Sequence, residues 1–423
     1  MPSPVAAIAN LAVSTYRYLT TQEAPEITID SVILRTGEPL IDTIRELMPR
    51  GVMELEEFHA TIQTLAEDPE LSQFVEVEDQ PVPMIMHSQG GSRQSLGILI
   101  LALLHSARLR IYWLRLELSE ATFTSIVLEN YEELKRGLRG ETIRYYTITG
   151  YTGIELEERS QVATPWGTLQ KAPNPSHHLV YLGFSGNPTT AIMLSENHTT
   201  IVVAREPSLD TFKPTRLTGP PILELVPLAF ALGTFQSKPC APVMTFRTNL
   251  LPFTLGFSST STMRLDKTSD AVQLTTEHVI AIEDWARRLN ERHIDSLKVT
   301  VGRVISALSK RADKSDVLID AVTAWESLVG SRSETVFRVT AALAHLLEKD
   351  PTARRGFQKK LKDIYNLRSR VVHGDLVESA KIAEAADEAT KIAIKSLSQI
   401  YLMPSEWLSM KSEERADRIL LER

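Results

Sequence analysis

The first 255 residues contain short runs that are rich in β-branched and aromatic residues. Three such runs are TIRYYTITG at 142–150, HHLVYLGF at 177–184 and AIMLSENHTTIVVA at 191–204. Gly, Pro and Asn lie at their ends, and this composition is typical of β-strands. Within the third run, Glu196, Asn197 and His198 are predicted to turn one strand into the next. The pattern therefore predicts sheet structure in the N-terminal region.

Other parts of the same region have a helical pattern. They are ATFTSIVLENYEELKRGL at 121–138 and the acidic segment around residues 54–67. The longest apolar run, LGILILALL from Leu96 to Leu104, is too short to cross a bilayer, so we expect a buried strand or a core helix there. Residues 1–255 are therefore predicted to form a mixed α+β region of one or two subdomains.

After residue 270 the pattern changes from short strands to a helical repeat. A Ser- and Thr-rich stretch, SSTSTMRLDKTSD at 258–270, precedes the change, and residues 256–270 are predicted to be a linker. Beyond the linker, apolar residues recur every three or four positions, which indicates amphipathic helices. The repeat includes Val279, Ile282, Ala286, Leu289, His293 and Leu297, and then Leu318, Val322, Trp325 and Val329.

Helix-stopping residues divide the C-terminal third into four or five helices. Gly330 and Gly374 are typical residues just beyond a helix end, Ser333 is a typical helix cap, and Pro404 cannot continue a helix. Beyond Gly330, these residues predict helices over 334–348, about 353–373 and about 377–403. Short connections favour an antiparallel bundle over 271–410, with 411–423 as a C-terminal tail.

The fourth predicted helix carries a cation on its apolar stripe. Arg368 lies in line with the stripe, whose members are Phe357, Leu361, Ile364 and Val372. An arginine on a core-facing stripe is costly unless it has a partner. The expected partner is Glu326, on the core edge of the helix that contains Val322 and Val329. The pair indicates either a functional site or a plain salt bridge within the bundle.

His373 ends the same helix, five residues after Arg368. Five residues correspond to about 140° around an ideal helix, so His373 lies on the polar edge with Asn366 and Ser369. The negative end of the helix dipole favours a protonated imidazole there. An arginine can stabilise the charge of a phosphoryl transition state, and a histidine can act as general acid or base. The alternative is a surface histidine that only ends the helix.

Positive charge is concentrated around this helix, although the chain as a whole is acidic. The net charge of −7 argues against a large passive nucleic-acid binder. Between Pro351 and Asp375 there are seven basic residues against two acidic ones, a local charge of +5. Such a patch attracts phosphates, and we assign RNA contacts to Arg355, Lys359, Lys362 and Arg370. The alternative for part of the patch is a solvated helix face.

The remaining features of the sequence mainly exclude functions. The single cysteine, Cys240, excludes a disulfide framework within the chain and Cys-rich zinc sites, and it fits a reducing cytoplasm. The N-terminus lacks a basic n-region, so no signal peptide is expected, and no apolar run is long enough to span a membrane. His-Glu-x-x-His and phosphate-loop motifs are absent, so neither a metal nor a cofactor is expected.

The segment from Tyr365 to Gly374 reads YNLRSRVVHG. It resembles the YxxRSxxxHG segment of the Apea-like HEPN family, in which an acidic residue in an apolar helix, here Glu326, comes earlier. The resemblance covers 271–410 and is most specific over 315–375. It implies a helical bundle that dimerises through the motif helices, so that two Arg/His sets form one composite site. It also implies a metal-independent endoribonuclease, in which the RNA 2′-hydroxyl attacks and a 2′,3′-cyclic phosphate remains.

By this resemblance Arg368 and His373 are catalytic, and Glu326 and Ser369 support them; Asn366 is a further supporting candidate on the polar edge. HEPN toxins that are paired with a nucleotidyltransferase usually have His-x-Tyr, and the His373-Gly374-Asp375 sequence argues against that partnership. A second Arg-x4-His match runs from Arg288 to His293. His293 lies on an apolar stripe, so it is interpreted as a packing residue.

The combined prediction is a cytoplasmic, homodimeric HEPN ribonuclease that acts on tRNA or mRNA. By resemblance, the N-terminal region senses an unknown activator, and the setting is anti-phage defence or toxin-like growth arrest. Two alternatives stay open. The first is a HEPN module without catalysis that binds RNA or a nucleotide, or only dimerises. The second is an interaction protein whose bundle is purely structural and whose function lies in residues 1–255.

Overall fold

The protein has an α+β fold, as the sequence predicts, with its described strands between residues 84 and 273 and helices beyond them. The predicted strand at 177–184 and the predicted cap Ser333 lie outside the residues that the structure describes. The computed structural model describes residues 2–21, 50–71, 84–87, 90–93, 96–158, 160–172, 189–200, 202–204, 222–253, 259–261, 271–293, 295–330 and 335–422.

The main sheet of the described residues has six antiparallel strands in the order β10-β9-β3-β7-β6-β5. A three-stranded sheet has the order β2-β1-β8, and β11 pairs with β4 in parallel. The strands are β1 Met84–His87, β2 Gly90–Arg93, β3 Thr142–Thr152, β4 Ile154–Glu155, β5 Gln161–Thr164, β6 Gly167–Lys171, β7 Ala191–Thr200, β8 Val202–Ala204, β9 Val243–Leu250, β10 Ser259–Ser261 and β11 Val272–Gln273.

The predicted turn at Glu196, Asn197 and His198 is wrong. These residues lie inside β7, which pairs with β3 without interruption from Ala191 to Thr200. The Asn197 side chain donates a hydrogen bond across the strands to Thr147 Oγ1 at 2.9 Å instead of closing a turn. Because β3 is itself eleven residues long, it offers β7 a partner over its whole length. The predicted second strand exists as β8, in a different sheet.

The described helices begin near the N-terminus and dominate the chain after residue 271. They are α1 Pro4–Thr21, α2 Glu56–Ala66, α3 Leu96–Trp113, α4 Glu120–Leu138, α5 Ile222–Thr234, α6 Thr276–Arg292, α7 Lys298–Ile305, α8 Lys314–Val329, α9 Thr335–Leu347, α10 Pro351–Val372, α11 Ser379–Leu402, α12 Ser405–Ser409 and α13 Ser412–Glu422. A π-helical segment, Ser306–Lys310, follows α7. No helix in the described part of the chain has the length and apolar character needed to cross a membrane.

The N-terminal helices share a core with the sheet. Side chains from α1 to α4 form one buried cluster with Ile143 and Tyr145 of β3. The apolar run at 96–104 belongs to α3, so of its two predicted forms the core helix is correct. The predicted helices at 121–138 and around 54–67 are confirmed as α4 and α2. Ser119 caps α4 by accepting a hydrogen bond from the Thr122 amide at 3.1 Å.

The second buried core continues across the predicted boundary at residue 271. Ala229 and Leu232 of α5 belong to the same cluster as Ile282 and Ala286 of α6. The two helices approach closely at Gly233, where a Cβ atom would lie 2.6 Å from the Ile282 side chain. The sheet region and the bundle therefore pack on one another.

The helix stops in the bundle are confirmed where the structure describes them. α8 ends at Gly330, whose amide donates to the Glu326 carbonyl at 2.7 Å. α10 ends at Val372 with His373 as its C-terminal cap, and Gly374 follows with a left-handed φ of +81°. That backbone conformation favours glycine, so Gly374 determines where α10 stops.

Two predictions about the edges of the bundle need correction. The tail at 411–423 contains α13, which buries Ala416 and Ile419 completely. Its apolar positions recur over only a short segment, which is a weak sign of a helix. Within the predicted linker, Ser259–Ser261 forms β10 against β9. Thr and Ser favour exposed loops and sheet edges alike, so composition did not separate these possibilities.

A buried carboxylate fixes the π-helical segment against α8. The Asp320 side chain is 2% exposed and accepts hydrogen bonds from Arg303 Nη1 at 2.6 Å, Ser306 Oγ at 2.7 Å and Arg311 Nε at 2.8 Å. Burial by itself raises the pKa of Asp320, but the bonds from Arg311, Ser306 and Arg303 outweigh it and hold that pKa below its ordinary value of 3.8. The ionised form is therefore the one that stabilises the fold.

We expect Asp320→Asn to lower the free energy of unfolding by about 1–3 kcal/mol at neutral pH. A lowered pKa stabilises the fold above the ordinary value of 3.8, and this contribution is lost as the pH falls through the lowered pKa. The difference between wild type and variant should therefore shrink below about pH 4. Urea unfolding from neutral to acid pH measures it. A difference that stays constant into the acid range contradicts the prediction.

Candidate functional site

The rotation of α10 about its axis is set by its caps and its buried residues. Asp350 caps the first turn by accepting from the amides of Thr352 and Ala353. Pro351 then occupies a position where no amide hydrogen is needed. The buried side chains in this helix are Leu361, Ile364 and Tyr365. They hold one face of α10 against the core and leave the opposite face exposed.

Arg368 lies on the core side of α10, as predicted, and is 23% exposed. Its Nη2 atom is 3.9 Å from Glu326 Oε2, so the predicted pair is present but long. Its Nε is buried and has no hydrogen-bond partner among the described residues. A buried donor without a partner costs about 1–3 kcal/mol. The guanidinium group is therefore held in place while part of its hydrogen-bonding capacity is unused.

Tyr365 completes this cluster, although the sequence pattern predicts no role for it. Its hydroxyl donates to Glu326 Oε1 at 2.5 Å. Burial, and then the hydrogen bond to Glu326 and the charge of its carboxylate, raise the pKa of Tyr365 to about 12. The tyrosine therefore stays a neutral donor that orients the carboxylate beside Arg368. The available signal was its position three residues before Arg368, which places both on neighbouring parts of one helix face.

His373 lies at the C-terminal end of α10, beyond Arg368. It is exposed and follows the last residue of α10, and its amide donates to the Ser369 carbonyl at 3.0 Å. Arg368 instead points its half-buried side chain towards Glu326. The angular separation of about 140° predicted from helix geometry thus remains. On an ideal helix, the Arg368 and His373 side chains therefore leave α10 in different directions.

One residue of the predicted apolar stripe is misplaced. Val372 is 51% exposed, whereas Leu367 and Val371 pack against the core in the last turns. Four residues on a helix correspond to about 400°, so a strict series of four-residue steps rotates by about 40° at each step. Between Ile364 and Val372 this rotation carries the series off the core.

A row of exposed polar residues lies on the opposite face of α10. Arg355, Lys359, Lys362, Asn366 and His373 point within about 40° of one direction on an ideal helix, and all five are exposed. We call these five residues the exposed row. Among the described residues, no ion pair involves its three cations. The row therefore offers unpaired positive charge that leads to His373.

The other predicted residues are placed differently. Arg370 lies beside the exposed row, but its Nε is already 3.3 Å from Asp375 Oδ2. Asn366 belongs to the exposed row and not to the group around Arg368. Ser369 is half-buried in the turn before His373.

The second Arg-x4-His match is structural, as interpreted from the sequence. His293 ends α6, and its Nδ1 hydrogen-bonds to the Tyr401 hydroxyl at 2.8 Å while the two rings stack. Arg288 pairs with Asp284 one turn earlier. In the described part of the chain, no group of three or more His, Cys, Asp or Glu residues could hold a metal ion.

Comparison of the chain with protein-family models, with curated proteins and with solved structures gives no match. The resemblance to the Apea-like HEPN family therefore stays a prediction that rests on the motif residues.

Proposed function

We propose that this protein is a metal-independent endoribonuclease of the HEPN class, with Arg368 and His373 as its catalytic residues. One observation carries the proposal: a single helix holds an arginine with an unused buried donor and ends in an exposed histidine. The unpaired cations of the exposed row support it, because RNA phosphates need such charge for binding. The coupling of Glu326 to both Tyr365 and Arg368 also supports it, since it fixes the arginine.

The proposed reaction needs only groups of this kind. The RNA 2′-oxygen attacks the adjacent phosphorus as its proton passes to a base, and the bond from phosphorus to the 5′-oxygen breaks. The 5′-oxygen takes up a proton, which leaves a 2′,3′-cyclic phosphate and a 5′-hydroxyl. Arg368 stabilises the charge on the phosphoryl oxygens, and His373 transfers a proton. Electrons and protons balance without a metal or an oxidant.

The active form in this proposal is a homodimer. Arg368 and His373 lie about 140° apart on an ideal helix, which favours a site shared between two copies over a site within one copy. A second copy related by a twofold axis brings the histidine of one subunit towards the arginine of the other. Val372 and Leu376, which are 51% and 98% exposed beside His373, supply apolar surface for such a contact.

The substrate in this proposal is tRNA or mRNA in the cytoplasm, and the setting is defence against phage or growth arrest. The N-terminal region would control the bundle. The shared core of α5 and α6 supports this arrangement, because a change in the sheet region can reach the bundle through that contact.

The test is cleavage of total cellular RNA by the purified full-length chain in EDTA. We expect fragments with 2′,3′-cyclic phosphate and 5′-hydroxyl ends. Fragments with 3′-hydroxyl ends, or cleavage that EDTA abolishes, would contradict the proposal.

The second candidate is a HEPN module that binds RNA or a nucleotide, or only dimerises, without cleavage. The observation that favours it is the direction of Arg368, which faces Glu326 and not His373 within one copy. RNA binding without cleavage, weakened by Lys359→Ala, would support this candidate over the first.

A further inference from the structure

A cleft of about 560 Å³ opens where the N-terminal sheet region meets the bundle. One side consists of the loop after α5, from Ser237 to Ala241, together with Gly153 and Val272. The other side consists of the π-helical segment, the start of α8 and the middle of α11. Its volume falls within the range of small-molecule sites, which is roughly 300–1,000 Å³.

The charged groups around the cleft are three lysines and one aspartate: Lys238, Lys314, Lys391 and Asp387. Lys314 Nζ lies 2.5 Å from Asp387 Oδ1, so these two charges neutralise each other. Lys238 and Lys391 are exposed, and the described part of the chain gives neither an ion pair. Two unpaired ammonium groups on opposite walls of one cleft attract a ligand with several negative charges.

The other walls of the cleft are apolar. Val272 lies on the sheet side, and Ala307, Leu308 and Val317 lie on the bundle side. Ala307 and Leu308 belong to the π-helical segment, which the Asp320 hydrogen bonds hold in place. π-helical segments are frequent at functional sites. A ligand with a phosphate group and a flat apolar part would meet both kinds of wall.

The hydroxyl and thiol groups at the cleft are not activated for chemistry. The His278 Nδ1 accepts from the Thr275 amide, so the neutral ring carries its hydrogen on Nε2 and donates it to Ser237 Oγ at 2.7 Å. Thr390 donates to the Ala386 carbonyl. Burial raises the pKa of the Cys240 thiol to about 11. The cleft is therefore suited to binding and not to nucleophilic catalysis.

We propose that this cleft binds a small molecule that carries two or more phosphates beside a flat apolar group, as a nucleoside triphosphate does. Lys238 contacts it from the sheet side and Lys391 from the bundle side, so the ligand connects the two parts of the chain. The site is separate from Arg368 and His373. A bound ligand would thus affect the bundle through its contacts with α8 and α11. Its binding does not depend on ribonuclease activity.

The experiment is calorimetric titration of the full-length chain with adenosine triphosphate and with inorganic triphosphate, both in EDTA. The wild type should bind each probe once, and adenosine triphosphate more tightly because of the apolar walls. Lys238→Glu and Lys391→Glu should each weaken binding by about tenfold or more, because each replaces an attraction with a repulsion.

Two charge reversals serve as controls. Lys395→Glu changes an exposed lysine one turn further along α11, outside the cleft, and should change affinity by less than about threefold. Lys359→Glu tests the exposed row of α10 in the same way. No binding to the wild type overturns the proposal. Equal weakening by Lys395→Glu or by Lys359→Glu also overturns it, since the probe then follows general charge or the exposed row.

Discussion

Arg368→Ala is expected to lower the maximal rate of RNA cleavage by about a hundredfold or more. The arginine is half-buried on the core face of α10, and its Nε has no hydrogen-bond partner among the described residues. A donor that is fixed before the reaction stabilises transition-state charge without reorganisation. The measurement is single-turnover cleavage of a defined RNA at saturating protein. A rate within about threefold of the wild type would contradict the assignment.

Arg370→Ala is the matched control for this prediction. Arg370 lies two residues further along the same helix, is exposed and already pairs with Asp375. Its loss should mainly weaken RNA binding and make the RNA affinity less dependent on salt concentration. The effect on the maximal rate of cleavage should be small. Thermal unfolding of both variants separates a catalytic effect from a loss of fold. A large fall in the maximal rate for Arg370→Ala would contradict the distinction between the two arginines.

Arg415→Met is expected to lower the free energy of unfolding by about 3 kcal/mol or more. The Arg415 residue is 1% exposed. Its guanidinium donates to the carbonyls of Leu328 at 2.5 Å, Met410 at 2.7 Å and Trp407 at 3.1 Å. Methionine fills a similar volume but leaves these carbonyls without their donor. Because Leu328 belongs to α8, the loss should also loosen α12 and α13 from the helix that carries Glu326.

Arg418→Met provides the comparison for this stability prediction. Arg418 lies one turn later on α13, is 30% exposed and pairs with Glu406 at 2.8 Å. This partly exposed ion pair and the contact of Arg418 with the Trp407 ring, whose centroid is 4.9 Å away, each contribute about 1 kcal/mol or less, so the variant should lose less than about 2 kcal/mol. Urea unfolding of both variants at neutral pH measures the difference. Equal destabilisation would show that the buried carbonyl contacts of Arg415 do not set its importance.

The helices that carry the candidate site were predictable because their sequence signals are local. The apolar repeat predicts α8, α10 and α11, and Gly330 and Gly374 mark the ends of two of them. The burial of Arg368 near Glu326 followed from the same repeat, since both residues lie on core-facing edges. Periodicity thus placed Arg368 and Glu326 on facing helix surfaces before any contact was known.

Features that depend on distant partners were not predictable in this way. β7 runs through a turn-like sequence because β3 pairs with it across fifty residues of chain. α13 forms because Arg415 finds carbonyl partners in α8 and in the preceding turn. The hydrogen bond from Tyr365 to Glu326 joins two helices, and single-helix patterns contain no information about it. The continuous core from α5 to α6 likewise depends on contacts between separate helices.

The proposed composite site is tested most directly by a heterodimer of Arg368→Ala and His373→Ala, co-expressed with two different tags and purified through both. A twofold dimer forms two Arg/His pairs between its subunits. In the heterodimer, one of these pairs keeps an intact arginine from one subunit and an intact histidine from the other. We predict that both variant homodimers are inactive and that the heterodimer cleaves RNA in EDTA at about half the wild-type rate. A heterodimer as inactive as the two homodimers, beside an active doubly tagged wild type, would contradict the shared site.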